Sequence, residues 1–210
     1  MKDYSGDINF PIWLVADSEP QNWQQFLDYP LDPRHPARHN IWTPVLNYMQ
    51  EYLYRRSKVR FNTKNLYITN SIKNPDNKPK GGELDWSQKL ETKVSKLRTN
   101  ITDIKPKVIL TFGAFAFEFL RRVCGETPKH PFAHWGTENL GIEFKKRICS
   151  FNKSQVNILP LLHVSIARGR FLESHRYFVG EEKGNYFEFV GEKLAGLFLK
   201  EFITEPIWVK

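Results

Sequence analysis

Four short apolar runs, each closed by a polar or turn-forming segment, constrain this chain more than any other feature. They are Ile12-Trp13-Leu14-Val15-Ala16, Leu66-Tyr67-Ile68-Thr69, Val108-Ile109-Leu110-Thr111-Phe112, and Val156-Asn157-Ile158-Leu159 running into Leu161-Leu162. Continuous apolar runs of this length read as strands buried on both faces, as in a parallel sheet. The segments between them have helical character. Val45, Leu46, Met49 and Leu53 recur at helical spacing between Ile41 and Tyr54, and Leu90, Val94, Leu97 and Ile101 fall three or four apart before Lys105-Pro106 ends that helix. Gly113 opens a helix that stops near Gly125, and the tail holds another from about Tyr186 to Phe202. Strands alternating with helices predict an α/β fold: a three-layer α/β/α sandwich around a central, mainly parallel four-stranded sheet, in one domain spanning residues 1–210.

Such a fold must stand on packing. The two cysteines, Cys124 and Cys149, form no C-x-x-C pair, so neither a zinc site nor a redox motif is expected. The chain carries 31 Lys+Arg against 23 Asp+Glu, a formal charge of +8, which points towards a polyanion such as nucleic acid or an acidic membrane surface. No apolar run approaches the ~20 residues of a membrane helix, and Met1 to Asp7 lack the apolar stretch of a signal peptide, so a soluble cytoplasmic protein without a membrane partner is expected.

Ligand sites in open parallel sheets form beyond the carboxyl ends of the strands. The residues there are Asp17-Ser18-Glu19, Asn70-Ser71, Gly113-Ala114 and His163-Val164-Ser165: an acid, an amide and an imidazole follow three different strands. The Pro-, Lys- and Gly-rich stretch from Asn74 to Asp85 reads as a mobile surface excursion.

Three blocks also resemble a known family. Leu66-Tyr67-Ile68-Thr69-Asn70-Ser71-Ile72-Lys73, then Lys105 to Ala116, then Leu162-His163-Val164-Ser165 are similar to successive blocks of the uracil-DNA glycosylase superfamily. The nearest pattern is that of its thermostable iron–sulfur branch, Tyr-Ile-Thr-Asn-Val-Val-Lys-Cys, Lys-Pro-Lys-Val-Ile-x-x-Leu-Gly-x-x-Ala and His-Pro-Ser. The likeness runs in order from about Ile12 to Arg170. It implies that Asp17 is the family's carboxylate, Asn70 the reader of the base, and His163 the group that assists its departure, with Ser18 and Ser165 beside them as substrate-binding neighbours. It also implies DNA as partner, double-stranded with a flipped base or single-stranded, and a monomeric monofunctional DNA glycosylase that leaves an abasic site.

The departures from the pattern matter. Both glycines of the family's first block are missing from Ala16-Asp17-Ser18-Glu19-Pro20, Val164 replaces a proline, and Asn74 stands at a cluster cysteine. A four-thiolate cluster cannot be built from two cysteines, and no cofactor or metal is expected. An approximate continuation puts Ala37 where the branch has a phenylalanine that stacks on uracil. A bulkier modified base, such as glucosylated hydroxymethylcytosine in phage DNA removed as antiviral defence, stays open, as does a catalytically inactive member that binds nucleic acid or protein.

The chemistry fits these residue types. Breaking an N-glycosidic bond builds positive charge on the sugar and negative charge on the base. A carboxylate near the anomeric carbon opposes the first, and an imidazole donor at a base carbonyl opposes the second. A side-chain amide can donate to and accept from a base edge. Arg168-Gly169-Arg170-Phe171-Leu172 supplies phosphate-binding charge beside a wedge that in the resembling family enters the minor groove, and Arg34 and Arg38 form a second basic loop along the DNA path. No lysine is clearly placed to form a Schiff base, so strand cleavage is not expected.

Each element has a plainer explanation. Asp17 or Ser18 suits the cap of a helix starting near Pro20, and Glu19 is the working acid if the loop is shifted by one residue. Asn70 suits a turn, His163 a packed core position, and Arg168 and Arg170 a solvated face. His130 and His134, with Cys124 upstream, have metal-like spacing, but Pro131 breaks the helix that spacing needs. Tyr177, Phe178, Tyr186, Phe187 and Phe189 read mostly as core, with an exposed member available for stacking.

Overall fold

The structure, a computed structural model, describes residues 1–23, 25–35, 38–163 and 171–209, and the side chains of all of these except 87–89, 171 and 172. One sheet is formed by β1 (Tyr4–Ser5), β2 (Ile12–Ser18), β3 (Tyr67–Ile72), β4 (Val108–Phe112) and β5 (Asn157–Leu161), in the order β1-β3-β2-β4-β5. The four apolar runs are the four long strands, and they pair in parallel. The sheet nevertheless has five strands, because two-residue β1 adds antiparallel to the edge of β3, with Tyr4 opposite Thr69. No apolar run announces so short a strand.

β2 is central, so the chain turns one way to reach β3 and the other way to reach β4. Two right-handed crossovers in opposite directions put their helices on opposite faces: α1 (Thr43–Ser57) on one, α2 (Ser87–Ile104) on the other. α3 (Gly113–Val123) continues in the second direction and packs against α2. α4 (Thr137–Cys149) and α5 (Phe171–Val179) pack on each other beside β5, and α6 (Tyr186–Glu201) lies along α1. The result is the three-layer sandwich. α4 has a weak signature, since it buries only Leu140, Gly141 and Phe144. Glycine disfavours a helix interior, yet a β-carbon at Gly141 would run into the Phe178 carbonyl. Among the described residues no helix is long and apolar enough to cross a membrane.

α3 is buried along almost its whole length and carries charge inward. Fully buried Glu118 accepts four hydrogen bonds: from Arg121 Nη1 (2.8 Å) and Trp135 Nε1 (2.8 Å) on one oxygen, and from Arg122 Nε (2.9 Å) and the His130 amide (2.9 Å) on the other. Arg122 also donates to the carbonyls of Leu84 (2.8 Å) and His130 (2.7 Å), and its guanidinium lies 3.7 Å from the Trp86 ring centroid. This network corrects one expectation. The stretch from Asn74 to Asp85 is stapled rather than loose: Arg122 holds Leu84, the Ala133 amide donates to Gly81 O (3.0 Å), Pro79 is buried, and Asn74 caps the turn Pro75–Asn77 by accepting from the Asp76 amide (2.9 Å).

His175 of α5 is buried, and its Nδ1 accepts from the Tyr186 amide (3.3 Å). Burial pushes its pKa down from 6.5 to about 4. The unfolded chain takes up this proton at higher pH than the folded one, so folding stability is expected to fall as pH drops from about 6.5 through about 4. Urea midpoints across that window should decline less steeply in His175→Gln than in the wild type.

Candidate active site

The strand register brings distant residues to one edge of the sheet. Ala16 lies opposite Asn70, Ser18 opposite Ile72, and Phe112 opposite Leu161. The Ser71 hydroxyl donates to Ala16 O (2.9 Å) and ties the ends of β2 and β3 together. A cavity of about 220 Å³ opens there, with Asp17, Ser18, Asn70 and His163 among its polar lining and Leu27, Leu31, Ile41 and Phe112 among its apolar lining. Its Phe112 ring is braced edge-on by Trp42 at 5.8 Å between centroids.

Asp17 is 8% exposed. Its Oδ2 lies 2.6 Å from Lys78 Nζ and 3.9 Å from His163 Nε2, while Oδ1 is buried with no hydrogen-bond partner among the described residues. β2 runs on through Ser18 and is followed by a three-residue turn, Gln21–Trp23, so neither Asp17 nor Ser18 heads an α-helix. Glu19 borders a neighbouring cavity with Lys73 and Lys93, and its amide donates to Lys73 O (3.2 Å). Burial pushes the Glu19 carboxyl up, against the pull of Lys73. Of the two acids, Asp17 is the one that shares a cavity with His163; Asn70 borders both cavities.

Burial pushes the His163 imidazole below its ordinary value; the Asp17 carboxylate opposes that shift and the Lys78 ammonium adds to it. The neutral ring can donate from one nitrogen. His163 is seated against Gly113, whose φ of +85° turns β4 into α3 and whose missing β-carbon would lie 2.7 Å from His163 Cβ. Gly113→Ala therefore meets both left-handed strain, about 1–2 kcal/mol, and a clash with the imidazole. It is expected to lower the melting temperature and to slow turnover beyond what the lost stability explains, measured at a temperature where both proteins are folded.

The other site candidates divide. Arg34 is paired with Asp28 (2.7 Å) and Asp32 (2.6 Å), and Arg38 Nη1 donates to Leu31 O (2.9 Å), so both brace the loop that walls the cavity. Ser165, Arg168 and Arg170 lie outside the described residues, as do Ala37 and Val164. Phe171 begins α5, and its side chain is likewise outside them. His130 and His134 stack ring on ring (4.1 Å, 10°), and among the described residues no three His, Cys, Asp or Glu gather as a metal site. In the aromatic tract Phe178 and Tyr186 are fully buried and Tyr177 is exposed. Lys78 is the site neighbour that sequence reasoning missed. Its contact lies 61 residues away in the chain, and nothing local distinguishes it from Lys73 or Lys80.

An acid, an amide and an imidazole thus line one cavity at the carboxyl edge of the sheet of an α/β/α sandwich, where open α/β sheets place their ligands. The family model of the uracil DNA glycosylase superfamily matches residues 32–178, and the chain belongs to that superfamily, whose members act on DNA and are in general DNA glycosylases. The matched stretch contains Asn70, Lys78 and His163 and begins after Asp17. A comparison with curated proteins finds no match.

Proposed function

We propose that the chain is a monofunctional DNA glycosylase that hydrolyses the N-glycosidic bond of a flipped-out uracil or modified base and leaves an abasic site. The observation that carries this reading is the shared cavity of Asp17, Asn70 and His163 at the carboxyl edge of the sheet. As the bond from C1′ to the base nitrogen breaks, its electron pair leaves with the base and C1′ becomes cationic. Asp17 opposes that cation and orients the water whose oxygen bonds to C1′. His163 donates to the base carbonyl on which negative charge collects, and Asn70 reads the base edge. Flipping costs a few kcal/mol of unstacking, which the basic surface offsets through phosphate contacts.

Incubation with duplexes carrying uracil, other deaminated bases or glucosylated hydroxymethylcytosine, followed by alkali, tests the reading and identifies the base. Alkali-labile breaks at one of these, lost in Asp17→Asn and in His163→Ala, are expected. Tight DNA binding that survives both substitutions, with no base released from any duplex, would favour an inactive binding member.

A further inference from the structure

Lys78 connects the acid of the site to the stapled segment between β3 and α2. Its Nζ is 2.6 Å from Asp17 Oδ2 and lies 5.0 and 5.1 Å from the ring centroids of Phe115 and Phe132. Ring faces and a carboxylate are partners for an ammonium. Their arrangement around Nζ suits a fixed cation better than an amine nucleophile. The support is rigid, because buried Pro79 follows directly and the Gly81 and Leu84 carbonyls are held by Ala133 and Arg122. Asp17 is left with one oxygen engaged and the other, Oδ1, buried without a donor among the described residues.

Taking Asp17 as the acid that faces the sugar, and so resting on the function proposed above, we propose that Lys78 is a positioning residue for base release: it holds Oδ2 and thereby fixes the orientation of the carboxylate. Lys78 touches neither base nor sugar in this scheme. Its effect passes through Asp17, and it falls on turnover rather than on DNA affinity. Among the described residues, charged groups that act on His163 include Asp17 from β2 and Lys78 from the segment after β3, while α3 presents uncharged Gly113. Removing Lys78 therefore also leaves the imidazole beside an unbalanced carboxylate.

The test compares wild type with Lys78→Met, Lys78→Arg, and Lys78→Cys before and after aminoethylation with 2-bromoethylamine, which rebuilds an ammonium at that position. Alkylated wild type controls for the exposed Cys124 and Cys149. On the best duplex of the panel, Lys78→Met is expected to lose about 10²-fold in kcat with KM little changed, and aminoethylation should restore most of the cysteine variant's loss. Without any substrate, the His163 ring proton followed by NMR should titrate at higher pH in Lys78→Met than in wild type. Wild-type kcat in Lys78→Met, a loss confined to KM, or no recovery on aminoethylation would overturn the proposal. So would an unchanged His163 titration, or a borohydride-trapped covalent complex between Lys78 and an abasic duplex. The NMR arm reads the Lys78–Asp17 pair directly, so its failure is distinguishable from failure of the glycosylase reading, in which no duplex would lose its base.

Discussion

Exchanging Asp17 for asparagine is expected to slow base release by about 10²–10³-fold in a protein that remains folded. The amide keeps the shape of the carboxylate and a carbonyl oxygen for Lys78, so the packing at the ends of β2 and β3 is preserved. What disappears is the negative charge opposing the cationic sugar. Lys78 sharpens the effect: with the acid neutralised, an ammonium that sat 2.6 Å from a carboxylate becomes an uncompensated positive charge beside a developing one. Glu19→Gln is the matching control, because Glu19 borders the neighbouring cavity and should leave the rate near that of the wild type. Single-turnover release on the preferred duplex measures both. Exchanged outcomes would transfer the acid's role to Glu19.

Glu118→Ala is expected to remove about 3–5 kcal/mol of folding stability, the usual cost of breaking a buried ion pair by deleting one partner. Against a typical total of about 5–15 kcal/mol this is a large fraction, and the urea midpoint should fall accordingly with little change in slope. The cause is specific. Two guanidinium groups, a backbone amide and an indole N–H all donate to this one carboxylate, and Arg121 and Arg122 are themselves nearly buried. Among the described residues, truncation leaves Arg122 with backbone carbonyls alone as acceptors and Arg121 with Glu126 as its remaining carboxylate. Glu118→Gln should cost less, since its carbonyl keeps some of the four donors. Because Arg122 also staples Leu84 and stacks on Trp86, the variant should in addition loosen the segment that carries Lys78, seen as faster proteolysis between α2 and β3.

The parts of this molecule that were legible in the sequence share a physical property: they are written locally. Strands β2 to β5 appear as apolar runs because a doubly covered strand excludes polar side chains from both faces, and Asp17, Asn70 and His163 stand out because they follow those runs directly. β1 is too short for a pattern, and α4 is masked by Gly141, whose reason lies in a contact with Phe178. The cations show the limit most clearly. Arg34 is paired with Asp28 and Asp32 and Arg38 donates to Leu31 O, and Lys78, which looked like one more solvated lysine, is paired with Asp17. Charge can be counted from letters, but pairing depends on which segments the folded chain brings together. The family resemblance pointed to Asn70 and His163, which line one cavity, and did not extend to Lys78.

The acid, amide and imidazole of the cavity come from positions 17, 70 and 163, with Lys78 held against the first, and His163 follows β5, the outermost strand on its side. A nascent polypeptide on the ribosome therefore cannot bring the acid and the imidazole together until β5 has emerged and docked.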